Sequence, residues 1–188
     1  NKGLSHAYNR AVAMRESAHV VIFDDDTEVT NTYFTQVDDW ISTHGPADIF
    51  VPIVHADGQP FSPCRPWLFS FRPIRKVRDW NSDFSAINSG MVVASSVFER
   101  CSYDERLFVD FIDHQFILDA RQAGMRIVPM DGIYLDQRYS LVSDDRRAAT
   151  IRLGIFRHDS AVYYRTPAGR LARMVRLGIR TIRIWMAK

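Results

Sequence analysis

Ala7, Ala11 and Val12 recur at helical spacing between Leu4 and Met14, which predicts a helix with one apolar face. His19-Val-Val-Ile-Phe23 is a β-branched run that stops at three aspartates, and it reads as a buried strand. Thr30 or Asn31 can cap a second helix through Tyr33, Val37, Trp40 and Ile41, ended by Gly45-Pro46. Asp48 to Val54 reads as the next strand, with Pro52 suggesting an edge or a bulge because proline has no N–H for the ladder. Residues 59 to 80 show no period. Pro60, Pro63, Pro66 and Pro73 and a mixture of basic and aromatic residues predict a long functional or mobile loop there.

Ser85 to Ala94 reads as a strand interrupted at Gly90, and Ser96-Val-Phe-Glu99 fits a capping box that opens a short helix. Ile112, Phe116, Ala120 and Ala123 share one side of a helix from Phe111 to Ala123, with Gly124 just past its end. Arg126 to Met130 and Ile133 to Leu135 read as two short strands. Strands alternating with helices imply an α/β fold, a sheet with helices on both faces. After Asp145 the strand pattern stops, and two helices are expected, the second begun by Thr166-Pro167 with proline at the first helical position. The chain therefore divides into residues 1–145 and a helical tail, 146–188.

Composition narrows the class. In 188 residues, 46% hydrophobic against 24% charged content is enough for a real core and excludes disorder as the main state. No stretch has the ~18 consecutive apolar residues of a membrane span, and nothing at the start reads as a secretion signal. Cys64 and Cys101 are too few for a disulfide scaffold or a cysteine zinc site, so a reducing, cytoplasmic location is expected. The first residue is Asn1 and a helix follows at once, so the chain reads as the later part of something longer.

Charge is divided along the chain. Residues 1–145 hold 13 Lys and Arg against 21 Asp and Glu, a net −8, while 146–188 hold 11 basic residues and one acidic, a net +10. Arg170, Arg173, Arg176, Arg180 and Arg183 fall along one side of the last helix, and Leu171, Met174, Val175, Ile182, Trp185 and Met186 cover much of the rest. Such a helix fits an anionic membrane surface, or else docks its apolar side on the domain and leaves a solvated charged face.

Asp24-Asp25-Asp26 is the sharpest chemical feature. Carboxylates at the carboxyl end of a buried parallel strand lie over the crevice where open α/β sheets bind ligands. On an extended segment Asp24 and Asp26 point one way and Asp25 the other, so the pair could hold magnesium or manganese against a diphosphate. The same residues could instead form an acidic turn that caps the next helix. Asp110 and Asp113 stand at the start of the Phe111 helix, where the dipole favours a carboxylate. Asp113 suits a base that accepts a proton from a hydroxyl, although capping alone would also explain it. Trp67, Phe69, Phe71 and Trp80 lie among Arg65, Arg72, Arg75, Lys76 and Arg78. Aromatics stack on sugar faces and arginines grip phosphates, which suits an acceptor loop; a surface loop packed on its own aromatics is the other reading.

The ordered set Asn1-Lys-Gly-Leu-Ser with Ala7 and Asn9, Val-Val-Ile-Phe-Asp-Asp-Asp-Thr-Glu28, Asn88-Ser-Gly90, the run from Tyr103 to Asp113, and Gly124 resembles the family-two glycosyltransferases, especially their rhamnosyltransferase-like branch. The resemblance spans roughly residues 1 to 140. It implies a GT-A, Rossmann-like mixed sheet whose first βαβ unit would precede Asn1. It also implies a nucleotide-sugar donor, a divalent metal (Mg or Mn), inversion at the anomeric carbon, and a saccharide acceptor that is lipid-linked, in cell-surface polysaccharide synthesis at the inner face of the membrane. By this resemblance Asp26 is a metal ligand, Asp24 a metal or ribose contact, and Asp113 the base. Asn88, Ser89 and Gly90 border the donor sugar, and Gly3 and Asn9 lie near the nucleotide. The chain departs from the family pattern at Gln115, at Asp119 with Arg121 displaced by two, and at Gln137, which stands where a metal-binding histidine is common. Gln137 is then the expected third metal ligand, with His114 a possible substitute, though His114 reads better as an exposed helix residue.

A truncated or degenerate transferase without activity is one alternative, and two other classes share parts of the pattern. A haloacid-dehalogenase-type phosphatase also opens on a hydrophobic strand and Asp-x-Asp, but it needs threonine where this chain has Glu28. A nucleic-acid module could use the arginine tail, but the −8 body opposes a broad phosphate-tracking surface, and no nucleic-acid partner is expected.

Overall fold

The computed structural model describes residues 1–67, 70–75, 80, 83–137 and 146–186. In chain order these form α1 (Leu4–Ala13), β1 (His19–Ile22), β2 (Thr27–Glu28), α2 (Tyr33–His44), β3 (Ile49–Ala56), β4 (Gln59–Ser62), β5 (Cys64–Trp67), β6 (Ser70–Pro73), β7 (Met91–Ala94), a 3₁₀ turn (Ser95–Glu99), α3 (Ile112–Gln122), β8 (Ile127–Gln137), α4 (Arg146–Tyr163) and α5 (Pro167–Met186). The main sheet has the order β1-β7-β3-β8-β2, with β4 paired to β3. It is mixed: β3 and β8 run parallel, and the other pairings are antiparallel.

The alternation of β3 builds two cores. Ile49 and Val51 face one side, where they join Met91, Val93 and the α3 residues Ile112, Phe116, Ile117 and Ala120. Phe50 and Val54 face the other and pack with Tyr33 and Val37 of α2, Val92 and Leu135. Side chains on a strand point alternately to its two faces, so an unbroken apolar strand needs cover on both. Burying each such side chain contributes about 1.5–3 kcal/mol. The expected α/β class with helices on both faces is what forms.

Several expectations of detail change. Pro52 marks a bulge but not an edge: β3 is interior, and β8 inserts Met130 to Ile133 opposite Pro52, where the ladder needs no donor. The two strands expected between Arg126 and Leu135 are therefore one, β8. β1 is not a buried parallel strand; it ends the sheet order, pairs antiparallel with β7 and is only half-buried. Residues 59 to 80 are not one loop, because β4 pairs with β3 and β5 pairs with β6, and Cys64 exchanges two backbone hydrogen bonds with Ser85. α2 begins after Thr32, with no side-chain cap, instead of after Thr30 or Asn31. The capping box at Ser96 does not form; Ser95–Glu99 is a 3₁₀ turn without a side-chain cap. Pro167 does occupy the first position of α5.

Candidate functional site

The loop after β1, the start of α3 and the end of β8 converge on one cleft of about 660 Å³. Gln137 organises its acidic end. Its Nε2 donates to Asp24 Oδ2 at 3.2 Å and to Asp26 Oδ1 at 2.6 Å, so the two carboxylates face the same way, as the spacing predicted. Its Oε1 is buried with no hydrogen-bond partner. Burial, and after it the charge of Asp113, raises Asp24 above the ordinary aspartate range; the Gln137 amide opposes that, and Asp26 and Asp25 reinforce it. Crowded carboxylates of this kind are relieved by a proton or a cation.

The residues fit a hard divalent ion. Two carboxylates and an amide whose oxygen lacks a partner make an all-oxygen donor set of the type magnesium and manganese take. Among the described residues, no group of three or more His, Cys, Asp or Glu side chains is placed to hold a metal, so the amide is the third donor available.

Asp113 stands in the first turn of α3, with its Oδ1 accepting the His114 N–H at 2.7 Å. The turn before it is unusual. Phe111 is left-handed, at φ 66°, and buried, a conformation that costs energy for a bulky residue and must be held from outside. Tyr163 stacks on its ring at 4.7 Å. Asp159 of α4, fully buried, accepts the N–H groups of Phe108, Val109 and Asp110 at 2.9, 2.8 and 2.7 Å. One carboxylate from the tail thus fixes the segment that leads into Asp113.

His114 is not exposed. Its Nδ1 meets Ser85 Oγ at 2.8 Å and its ring stacks on Phe71 at 3.8 Å, so it forms part of the cleft wall. Burial lowers its pKa, with Arg176 adding to that and Asp113 opposing it. Cys64 also lines the cleft, but burial, with Asp113 second, pushes its thiol up to about 12, which leaves no thiolate for chemistry at neutral pH.

Asn88, Ser89 and Gly90 support the site from behind. Asn88 Oδ1 accepts the Tyr103 hydroxyl at 3.2 Å. Ser89, fully buried, bonds Thr27 Oγ1 and accepts the Asp24 N–H at 3.4 Å. Gly90 has φ 74°, and a Cβ there would strike Leu135, the Tyr33 hydroxyl and Pro52. Sheet packing alone therefore requires a glycine here. Gly3 and Asn9 do not line the cleft. A Cβ on Gly3 would meet Phe108 at 2.8 Å, and Asn9 spends its amide on the backbone of Tyr103 and on Glu105. At the departures from the family pattern, Gln115 donates to Asp119 at 2.7 Å, and Arg121 turns to the Phe84 carbonyl at 2.5 Å.

The share of the cleft lined by the tail was not anticipated. Arg152 and Phe156 of α4 and Arg176 and Arg180 of α5 line it. Arg176 lies over the Phe111 and Phe156 rings at 5.6 and 5.4 Å, and Arg180 over Phe156 at 3.7 Å. Arg173 reaches Ser160 Oγ and the Arg157 carbonyl. Of the five arginines expected to face a membrane, Arg173, Arg176 and Arg180 instead turn inward, while Arg170 and Arg183 are exposed, as are Leu171, Met174, Ile179, Ile182, Trp185 and Met186. The one usable clue was Asp159, the sole acid in the basic tail. On the β5–β6 hairpin, Trp67 is exposed under Arg72 at 4.1 Å, and Ser70, Phe71 and Pro73 reach the main cleft. Trp80 packs on the core; Phe69, Lys76 and Arg78 lie outside the described residues.

No protein-family model matches the chain, and no curated protein does. Solved structures do. GalNAc-T7, crystallised with UDP, GalNAc and Mn²⁺, superposes at TM-score 0.57 and 14% identity over 77% of this chain and 32% of its own. TarS 1-349 of S. aureus matches at 0.52 and 16% over 89% and 47%, and its complex with UDP-GlcNAc at 0.52 and 13% over 88% and 48%. The chain thus spans a third to a half of the length of these proteins. At such identities the likeness speaks for architecture, and together with the mixed sheet and its two helical faces it shows that the chain has the GT-A-type glycosyltransferase fold.

Proposed function

We propose that this chain carries the catalytic face of an inverting glycosyltransferase, which moves a sugar from a nucleotide-sugar donor to a hydroxyl of a saccharide acceptor. The observation that carries the reading is the convergence of Asp24, Asp26 and the partnerless Gln137 oxygen in the same cleft as Asp113. That two structures of this fold hold UDP or UDP-GlcNAc, one of the neighbours with Mn²⁺, supports a nucleotide-sugar and a divalent ion here.

Asp24 and Asp26, with Gln137 turned to present its oxygen, would hold the ion. When bound, such an ion supplies charge neutralisation to a leaving diphosphate. Asp113 accepts the proton of the acceptor hydroxyl as its oxygen bonds to the anomeric carbon and the bond from that carbon to the diphosphate oxygen breaks. One displacement from the opposite face inverts the centre. Asp159 keeps Asp113 in place through the 108–110 backbone, and Trp67 and Phe71 offer apolar faces for acceptor sugars.

The acceptor in this reading is lipid-linked and the enzyme works peripherally at the inner face of the membrane, in cell-surface polysaccharide synthesis. No helix among the described residues is long and apolar enough to cross a membrane. Attachment falls to the outward stripe of α5, with the exposed Arg170 and Arg183 at its flanks. The test is a transfer assay of the full-length protein with a panel of nucleotide sugars and Mn²⁺ or Mg²⁺, read by release of nucleoside diphosphate. Metal-dependent release that is lost in Asp26→Asn upholds the reading; release unaffected by chelator and by Asp26→Asn overturns it.

A further inference from the structure

We propose that one face of the β5–β6 hairpin is a second sugar subsite, which takes a saccharide unit carrying an anionic group, a carboxylate or a phosphate. The proposal rests on the reading of the cleft as a sugar-transfer site and names a chemical class for its acceptor.

A pocket of about 410 Å³ lies on the hairpin, with Arg65, Trp67, Arg72, Pro73 and Arg75 among the residues that line it; small-ligand sites run from roughly 300 to 1,000 Å³. The strand register builds it. Arg65 stands directly opposite Arg72, and Trp67 opposite Ser70. Residues that are opposite, or two apart on one strand, share a face of the ladder, so Arg65, Trp67 and Arg72 fall together. Cys64, Phe71 and Pro73 belong to the other face, and all three line the main cleft. Pro73 lines both spaces, which sets the pocket beside the cleft. Asp24, Asp26 and Gln137 do not line the pocket, so it is separate from the proposed ion site.

The lining combines a sugar-stacking surface with cations. Trp67 is exposed, and Arg72 lies over its ring at 4.1 Å. That contact places the guanidinium through the ring face and consumes none of its N–H groups. Among the described residues, neither Arg72 nor Arg75 makes a side-chain hydrogen bond or an ion pair, and no acidic residue lines the pocket. A neutral sugar would use the indole and leave both guanidinium groups to water. A sugar that carries a carboxylate or phosphate uses all three groups, because arginine binds either anion through paired, charge-assisted hydrogen bonds.

The test is titration calorimetry on the full-length protein with trigalacturonate, its neutral methyl ester, glucose-6-phosphate and glucose. At least one anionic sugar should bind about tenfold or more tighter than its neutral counterpart. The larger gain identifies the group as carboxylate or phosphate, and either upholds the subsite. Arg72→Gln/Arg75→Gln should erase the gain, and Arg72→Lys/Arg75→Lys should restore part of it. Trp67→Ala should weaken anionic and neutral probes alike, by roughly two- to tenfold. All three side chains are exposed, and Arg75→Gln alone gives the same reading on a smaller scale if a double variant does not fold. Anionic and neutral probes that bind the wild type equally, or a charge preference that survives in the glutamine variants, overturn the proposal. The transfer assay reports on the cleft separately. Metal-dependent release without a charge preference at the hairpin removes this subsite and keeps the transferase. A charge preference lost in the glutamine variants, with no release from any nucleotide sugar, keeps the subsite and removes the transfer reading.

Discussion

Asp24 and Asp26 share one amide, and their mutual repulsion has a measurable sign. Burial and the neighbouring carboxylates raise the Asp24 pKa, so the folded state holds that proton more tightly than the unfolded chain. Its contribution is neutral in acid, and stability is lost as pH rises from the ordinary aspartate pKa through the raised one. Without metal, Asp24→Asn should therefore melt higher than wild type at pH 7, with the difference closing toward pH 4, about the ordinary aspartate value; a lower melting temperature at pH 7 would contradict the crowding. The same variant should lose Mn²⁺ binding in calorimetry, and wild-type affinity should fall as the solution is acidified. Asp113→Asn should lower kcat by about 10²–10⁴-fold with UDP affinity little changed. If Asp110→Asn is the inactive variant instead, the base is Asp110. Asp159→Asn leaves one of three converging N–H groups facing an amide N–H, so urea unfolding should show a loss of about 2–4 kcal/mol. The acidic pair and Asp113 were legible in the sequence because local spacing orients them. Asp159 was not, because its partners lie about fifty residues away.

At the level of elements, helix boundaries were read well where the signal is local: the 3.6-residue period of α3 with Gly124 after it, and Pro167 at the start of α5. Capping was not legible at α2, which begins after Thr32 with no side-chain cap, or at Ser96, where the preceding Ser95 is tied to the Ser17 and Ala18 carbonyls instead. Gly90→Ala should be severely destabilising, through a left-handed φ and a clash with Leu135 inside the sheet; a melting temperature near wild type would show that the sheet can open there. The orientation of α5 reverses the expectation from its arginines. Vesicle binding should fall on Met174→Glu or Ile182→Glu, both on the exposed stripe, and change less on Arg173→Gln, whose guanidinium is engaged by α4. The opposite ranking would return the arginine face to the membrane.

Across the whole molecule, the −8 and +10 parts meet at the cleft. Removing residues 146–188 would strip the 108–110 N–H groups of Asp159 and uncover Phe111, so the remaining chain should lose cooperative unfolding in denaturant; a sharp transition at the wild-type midpoint would make the tail dispensable. Sequence by itself determined the alternation of strands and helices, the two-faced sheet, the acidic pair and the basic tail. Each of those follows from periodicity or composition within a few residues. Tertiary structure alone decided that β3 is interior despite Pro52, that Gly90 serves packing, and that the tail arginines line the cleft while its apolar side faces out. The physical reason is that an amphipathic pattern states only that two faces differ. Which face is buried depends on what waits across the gap, and here buried aromatic rings and carboxylates on distant segments drew the arginines inward.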